Sequence, residues 1–188
     1  MNFVQPIREI EKIEEFKSLL KERSQRDYFL FFMGINTGLR ISDLLPLKVK
    51  DVKNKTHITI TEEKTGKVKR FPLYTIQEEI AAYIKGMRDN SYLFPSREKN
   101  NGVVRPISRH QAWKILNDVG KTLGLDSIGT HTLRKTFGYH FYQKYKDLAL
   151  LQELFNHSAP SVTLRYIGIN QDMIDDAMRE FKLLGILL

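Results

Sequence analysis

The stretch LFNHSAPSVTLRYIG, residues 154–168, contains the end of one helical pattern, a turn, and the start of a second helical pattern. Asn156 and the small polar residues after it break the first pattern. Pro160 suits the first turn of a new helix, because its missing N–H is not needed there. The stretch therefore predicts helices over 147–156 and 160–167.

Two chemically active side chains, His157 and Tyr166, stand nine residues apart in this stretch. Taken alone, they are equally well explained as a surface histidine and a core tyrosine. Upstream, the stretch HTLRKTFGYHF contains His131 and Arg134, in a helix predicted over 131–145. Their spacing puts both side chains on one helix face, about 5–6 Å apart at Cβ, where two cations repel unless an anion lies between them. The H-x-x-R pattern by itself is weak and can arise by chance.

A third stretch, TGLRISDLLPL, follows a helical pattern over 24–38 whose second half is almost wholly apolar. Gly38 suits the left-handed residue that ends a helix, and Ser42 is predicted to cap a short helix after it. Arg40 therefore lies at a helix boundary, where its guanidinium is a candidate functional group. The alternative interpretation is that Arg40 only forms an ordinary surface ion pair.

One region has the pattern of β-structure. Residues 56–61 alternate polar and apolar with β-branched side chains, and 68–73 continue as a second strand after a turn that carries Lys64. Lys64 is either a flexible ammonium that reaches into a groove or an ordinary solvated turn lysine. The hairpin allows a third strand over 47–52, and the Pro, Asn and Gly content of 95–106 predicts a loop.

The other periodic segments are helical. The expected fold class is α+β, mainly α-helical with one small antiparallel β-sheet of two or three strands, in a single domain over residues 1–188. Further helices are predicted over 9–22, over 108–123 with Ser108 as its cap, and over 170–182. Another helix is predicted to begin at a capping box formed by Thr75 and Glu78.

The composition excludes several kinds of chemistry. The 188 residues include no cysteine, so disulfides, zinc–thiolate sites, iron–sulfur clusters and thiol nucleophiles are excluded. No apolar run approaches the roughly 20 residues that cross a bilayer. The first residues lack the basic start and apolar stretch of a secretory signal. We therefore expect a cytoplasmic protein with no membrane partner.

Positive charge is concentrated in two separate blocks of the sequence. The net charge is +8; residues 24–73 carry ten basic and five acidic groups, and residues 97–150 carry ten basic and four acidic groups. Two basic blocks suggest a polyanion as partner, with DNA or RNA first, and a basic but inert surface is the alternative.

The order of the residues named above, Arg…Lys…His-x-x-Arg…His…Tyr, resembles that of the tyrosine recombinase (phage integrase) family. The resemblance covers about residues 8–182, and all six active-site positions hold residue types that the family uses, in its order. It implies the fold of the family's catalytic domain, and we expect the amino-terminal core-binding domain that members usually carry to be absent. The stretches that carry it are TGLRISDLLPL, EEKTGKVKRFPL, HTLRKTFGYHF and LFNHSAPSVTLRYIG.

The resemblance implies breakage and rejoining of double-stranded DNA through a 3′-phosphotyrosyl intermediate, with no metal, no ATP and no other cofactor. Covalent catalysis divides one difficult step into two easier ones and stores the energy of the broken bond. The implied roles are the nucleophile (Tyr166), the clamps on the non-bridging phosphate oxygens (Arg40 and Arg134), the acid for the leaving 5′-oxygen (Lys64), a general base or proton shuttle (His131) and a hydrogen-bond donor to the scissile phosphate (His157).

The implied function is site-specific recombination or integration, as for a phage or mobile element. Relaxation of DNA by type IB topoisomerase chemistry and a non-catalytic DNA-binding module are the alternatives. Two residues depart from the family's pattern: Asn156 stands where glycine is usual, and Lys135 where histidine or arginine is commoner. The aliphatic segment 183–188 suggests a contact with a neighbouring protomer in a cyclic assembly on DNA, or else a segment that folds back on its own core.

Overall fold

The computed structural model describes residues 4–61, 66, 68–100, 102–169 and 178–179. They belong to two compact units, Met1–Phe137 and Gly138–Leu188. Apart from the helical pair 178–179, the helix predicted over 170–182 and the segment 183–188 lie outside the described residues. In the part of the chain that is described, no helix has the length and apolar character needed to span a membrane.

A single serine separates the first two helices of the first unit. α1 (Ile10–Arg23) and α2 (Gln25–Thr37) flank Ser24, whose hydroxyl accepts a hydrogen bond from a backbone N–H in the first turn of α2. The two helices pack through the stacked rings of Phe16 and Phe31, whose centroids are 4.5 Å apart. Both predicted helices are confirmed to within a residue at each end.

Gly38 ends α2 in the left-handed conformation that the sequence predicts, with a φ of 63°. α3 (Ile41–Leu44) begins three residues later. Arg40 rather than Ser42 occupies its cap position, because the Arg40 carbonyl accepts hydrogen bonds from the N–H groups of Asp43 and Leu44. The predicted serine cap is therefore wrong, and the backbone of Arg40 is fixed between two helix ends.

The segment predicted as an optional third strand is helical instead. α4 (Val49–Val52) begins after Lys48, whose N–H donates to the Asp51 carboxylate at 2.8 Å. Val49 and Val52 are both buried, and their spacing of three suits one face of a helix. A short apolar segment fits both the helical and the strand period, so here the capping carboxylate decides between them.

The β-structure consists of two hairpins. β1 (His57–Thr61) pairs antiparallel with β2 (Val68–Pro72), as predicted. The region predicted as a loop forms a second antiparallel pair, β3 (Pro95–Asn100) and β4 (Val103–Pro106). Its exposed, mostly polar or charged residues show no alternating burial, which is why the sequence did not indicate strands there. The α+β class is confirmed, with two small sheets among the described residues instead of one.

The remaining elements of the first unit lead to the long helix α7. The predicted capping box of Thr75 and Glu78 is wrong: a 3₁₀ turn (Tyr74–Ile76) precedes α5 (Gln77–Ile84), which has no side-chain cap. The Ser108 cap of α6 is confirmed, with its hydroxyl accepting from a backbone N–H at 3.0 Å. The two following helices are α6 (Arg109–Thr122) and α7 (Thr130–Tyr145), and α7 contains the boundary between the units.

The second unit contains the two helices that the opening stretch predicts, α8 (Leu148–Phe155) and α9 (Pro160–Ile167). Asn156 ends α8 with φ 53° and ψ 47°, in the left-handed region. Asparagine tolerates that region better than other non-glycine residues, which explains how it replaces the family's usual glycine. Gly138 of α7 lets these helices come close: a Cβ there would lie 2.7 Å from carbons of Phe155 and Ile167.

Two glycines near the end of α2 permit a close approach of α7 in the first unit. A Cβ at Gly34 would lie 2.8 Å from the Cβ of Leu133, and one at Gly38 would lie 2.8 Å from Cγ of Phe137. These distances are too short for any side chain. The backbone at the end of α2 therefore packs directly against side chains from the first half of α7, which positions the side chains described below.

We expect Gly38→Ala to lower the free energy of unfolding by about 2–5 kcal/mol, because a left-handed alanine and crowding against Phe137 add their costs. The matched control is Gly86→Ala, since Gly86 has a φ of 81° but nothing within 4 Å of the added carbon. The control should lose only about 1–2 kcal/mol. Urea unfolding of both variants measures the difference, and equal losses would show that the close approach is absent.

Candidate active site

Arg134 joins the first turns of α7 to the end of α2. Its side chain is buried, with 4% of the residue exposed, and Nη1 donates a hydrogen bond to the carbonyl of Gly38. That carbonyl belongs to the negative end of the α2 dipole, which favours a cation. Arg40 follows two residues later, and its positive charge acts on His131 together with that of Arg134.

His131 lies among several cations. The residue is exposed on the first turn of α7, and Nη2 of Arg109 lies 3.5 Å from its Nε2. Loss of hydration around the ring lowers the pKa of His131 below its usual value near 6.5, and neighbouring positive charges lower it further. His131 is therefore neutral at pH 7 in the absence of a bound anion. In order of effect, the charges that lower its pKa are those of Arg109, Lys135, Arg134 and Arg40.

Three hydrogen bonds, two of them to the segment before α1, hold the first turns of α7 in place. The hydroxyl of Thr132 accepts from the Gly129 N–H at 3.0 Å, and that of Thr136 accepts from the Ile7 N–H at 2.9 Å. Nζ of Lys135 donates to the carbonyl of Val4 at 2.7 Å. Burial, followed by the charge of Arg8, lowers the pKa of Lys135. Lys135 thus ties the segment before α1 to the helix that carries His131 and Arg134.

In the second unit, His157 and Tyr166 are in ring contact. Their ring centroids are 5.1 Å apart with an interplanar angle of 70°, and the ring of Phe155 contacts both, at 5.3 and 5.6 Å. Nδ1 of His157 lies 3.0 Å from Oγ1 of Thr163, a residue with no exposed surface. A buried hydroxyl at hydrogen-bond distance fixes the plane of the imidazole and the direction of its other nitrogen.

The backbone around His157 is fixed as firmly as its ring. The His157 N–H donates to the carbonyl of Gln152 at 3.1 Å, and Nε2 of Gln152 donates back to the His157 carbonyl at 3.1 Å. This reciprocal pair closes the end of α8 just past Asn156. The chain at His157 therefore leaves α8 in a defined direction and enters the short turn that the sequence predicts before α9.

The described residues include five of the six predicted site residues. The first unit brings together Arg40, His131 and Arg134, and the second unit brings together His157 and Tyr166. Lys64 lies outside the described residues. No three histidine, aspartate or glutamate side chains within the described ranges are placed to hold a metal ion.

Sequence reasoning missed two side chains at these clusters. Thr163 was detectable, because it precedes Tyr166 by three residues on α9 and therefore shares a helix face with it. Arg109 had no such signal. It is 22 positions from His131 in the chain, and only the folding of α6 against α7 brings the two together.

The sequence comparisons identify relatives along nearly the whole chain. A family model described as the phage integrase family matches residues 8–173. The probable integrase/recombinase YoeC of Bacillus subtilis (strain 168) is 53% identical over 182 residues, which cover 96% of this chain and 98% of that protein. The tyrosine recombinase XerA of Pyrococcus horikoshii is 31% identical over 166 residues, which cover 87% of this chain but only 57% of that protein.

Solved structures share the fold at low sequence identity. The crystal structure of XerA recombinase superposes with a TM-score of 0.71 at 20% identity, over 95% of this chain and 65% of that one. A lambda integrase dimer bound to a core site gives a TM-score of 0.67 at 16% identity, over 97% and 63% of the respective chains. The catalytic-domain fold that the sequence predicts is thereby confirmed.

We expect Thr163→Val, in which a methyl group replaces the hydroxyl beside His157, to lower the free energy of unfolding by about 1–2 kcal/mol. It should also increase the mobility of the His157 ring, since Nδ1 loses the bond that orients it. Thr163→Ser keeps the hydroxyl and is the control. NMR relaxation of the His157 ring measures the effect directly. Equal ring mobility in both variants would mean that the hydroxyl does not orient His157.

Proposed function

Because the chain belongs to the phage integrase family of tyrosine recombinases, we propose that it recombines double-stranded DNA at specific sites through a covalent link to Tyr166. The observation that carries this proposal is the buried guanidinium of Arg134 on the carboxyl end of α2, with the charges of Arg134 and Arg40 both acting on His131. Burying a guanidinium on a backbone carbonyl fixes its direction without neutralising its charge. Such an arrangement suits a site that holds a phosphate between two cations.

The two arginines would hold the scissile phosphate. A guanidinium presents a planar fork of donors that matches two phosphate oxygens, and it stays charged at every working pH. Preorganised donors at developing negative charge often contribute more to catalysis than any other effect, with about 10²–10³ in rate lost per donor removed in other enzymes. Arg40 and Arg134 thus supply the positive charge that a metal ion supplies in other phosphoryl-transfer sites, and neither a metal nor ATP is required.

In the proposed cleavage step, the phenolic oxygen of Tyr166 forms a bond to phosphorus as the bond from phosphorus to the 5′-oxygen breaks. The phenolic proton passes to His131, and Lys64 gives a proton to the leaving 5′-oxygen. The product is a 3′-phosphotyrosyl strand with a free 5′-hydroxyl, and attack by another 5′-hydroxyl reverses the step. Because the phosphodiester energy stays in the phosphotyrosyl bond, rejoining needs no energy source.

His157 would donate a hydrogen bond to the same phosphate. Its contact with Thr163 is compatible with this role: in the tautomer where the Thr163 hydroxyl donates to Nδ1, the ring proton is on Nε2. The edge-to-face contact of Tyr166 with the same ring supports a nucleophile and a donor that act side by side. The two basic blocks of the sequence support double-stranded DNA as the partner, and such a substrate places the activity in the cytoplasm.

We expect wild-type protein to form a covalent adduct with a nicked suicide duplex drawn from a library with randomised arms, visible as a slow band on denaturing gels. Tyr166→Phe should abolish the band, because the nucleophilic oxygen is gone. Tyr145→Phe is the matched control, since Tyr145 is 57% exposed and lies outside the clusters described above. Sequencing the trapped DNA identifies the target site.

Different results separate the other functions. Adducts with no sequence preference and relaxation of supercoiled plasmid would indicate topoisomerase activity instead. DNA binding with no adduct from any library member would indicate a non-catalytic module.

Self-association on DNA through residues 183–188 is a further part of the proposal, supported by the five aliphatic residues in that segment. Burial of such a segment against a second protomer gives a heterologous contact that closes into a ring only on the DNA.

We expect replacement of the five aliphatic residues of 183–188 by serine to weaken cooperative assembly on DNA while single protomers still cleave. Band-shift titration and the adduct assay measure the two properties separately. Loss of cleavage together with a lower melting temperature would show that the segment belongs to the core of its own chain.

A further inference from the structure

Arg109 contacts His131 although it belongs to none of the stretches that carry the family resemblance. It is the first residue of α6, directly after the Ser108 cap, and it is exposed. Its Nη2 lies 3.5 Å from Nε2 of His131. The first turn of α6 contains no acidic residue, and a cation is unfavourable at the positive end of a helix dipole. The position of Arg109 is therefore not explained by the stability of α6.

The contact determines where the imidazole proton lies. A guanidinium has five N–H donors and no acceptor, so it can bond to Nε2 only if that nitrogen presents its lone pair. The neutral ring must then carry its proton on Nδ1. A proton on Nε2 would place two donors, and in the protonated ring two positive charges, against each other. Histidine in solution favours the proton on Nε2, so the contact with Arg109 selects the less common tautomer.

Positive charges on three neighbouring parts of the first unit all lower the pKa of His131. Arg109 approaches from α6, Arg134 and Lys135 lie on α7 itself, and Arg40 lies at the start of α3. Together with the loss of hydration they keep the ring neutral. Arg109 has the largest effect of the four charges, and it is the one whose atoms reach the ring nitrogen.

We propose that Arg109 is a positioning residue that holds His131 in the neutral Nδ1–H tautomer, so that Nε2 is the atom that accepts a proton in catalysis. The catalytic part of this inference rests on the proposed function, whereas the tautomer rests only on the contact between Arg109 and His131. When a DNA phosphate engages the guanidinium, Arg109 leaves Nε2. Nε2 then accepts the proton of the Tyr166 hydroxyl as the oxygen–phosphorus bond forms, and the leaving 5′-oxygen takes its proton from Lys64.

The tautomer can be measured in the protein without DNA. Long-range ¹H–¹⁵N NMR of ¹⁵N-histidine-labelled protein distinguishes the two tautomers, and the signal of His131 is the one that disappears in His131→Gln. We expect the Nδ1–H pattern in the wild type. Arg109→Gln should increase the Nε2–H population and raise the titration midpoint, because a positive charge next to the ring is lost. Arg109→Lys, which keeps a charged donor, should restore part of the wild-type pattern.

Arg105→Gln is the matched control for charge. Arg105 is an exposed arginine of the same basic block, and it is not among the charges that lower the pKa of His131. It should leave the tautomer and the midpoint unchanged. A wild-type Nε2–H pattern, or the same pattern in the wild type and Arg109→Gln, would overturn the proposal. Circular dichroism of each variant confirms that it is folded.

The pH profile of single-turnover cleavage tests the catalytic consequence. General-base catalysis contributes about 10²–10⁴ in rate, so we expect Arg109→Gln to lose at least about tenfold at pH 7. Its acidic limb should move to higher pH, because a histidine with a higher pKa loses its lone pair earlier as the pH falls. A loss of rate with no shift of the limb would show that Arg109 only binds phosphate, and would overturn the proposal. If no DNA yields an adduct with the wild type, the proposed function fails, and the NMR result still decides the tautomer.

Discussion

The first unit depends on the hydrogen bond from the buried guanidinium of Arg134 to the carbonyl of Gly38. A buried charge is tolerated only where hydrogen bonds and an opposite charge or dipole compensate it, and the negative end of α2 supplies both. The bond requires α7 to approach α2 closely, which the glycines of α2 allow. It also fixes the backbone just before Arg40. Close packing of α7 on the end of α2 and a fixed direction of the Arg134 guanidinium thus go with one interaction.

The surroundings of His131 are electrostatically unfavourable in the absence of an anion. Four cations lower the pKa of this one imidazole, and the hydrogen bonds of Thr132, Thr136 and Lys135 anchor the helix that carries the ring. A DNA phosphate among these cations would reduce their mutual repulsion. The same phosphate would raise the pKa of His131, because a nearby negative charge favours the protonated ring.

Much of the fold could be predicted because its signals are local. The Ser24 and Ser108 caps, the left-handed Gly38 and the break at Asn156 fix helix boundaries through hydrogen bonds within a few residues. The sequence failed where two periods fit equally well, as in α4, and where strands are exposed on both faces, as in β3 and β4. Within the site, the placement of His131 and Arg134 one turn apart on α7 followed from helical spacing, whereas the contact of Arg109 with His131 depends on tertiary packing alone.

Mass spectrometry of the reacted protein tests the role of Tyr166 most directly. Trypsin cleaves after Arg165 and Arg179, so Tyr166 becomes the first residue of its own peptide. After reaction with DNA and nuclease digestion, we expect this peptide to carry a nucleotide joined through its 3′-phosphate to the tyrosine oxygen. An unmodified Tyr166 peptide beside a nucleotide on any other residue, or a link through a 5′-phosphate, would contradict the mechanism.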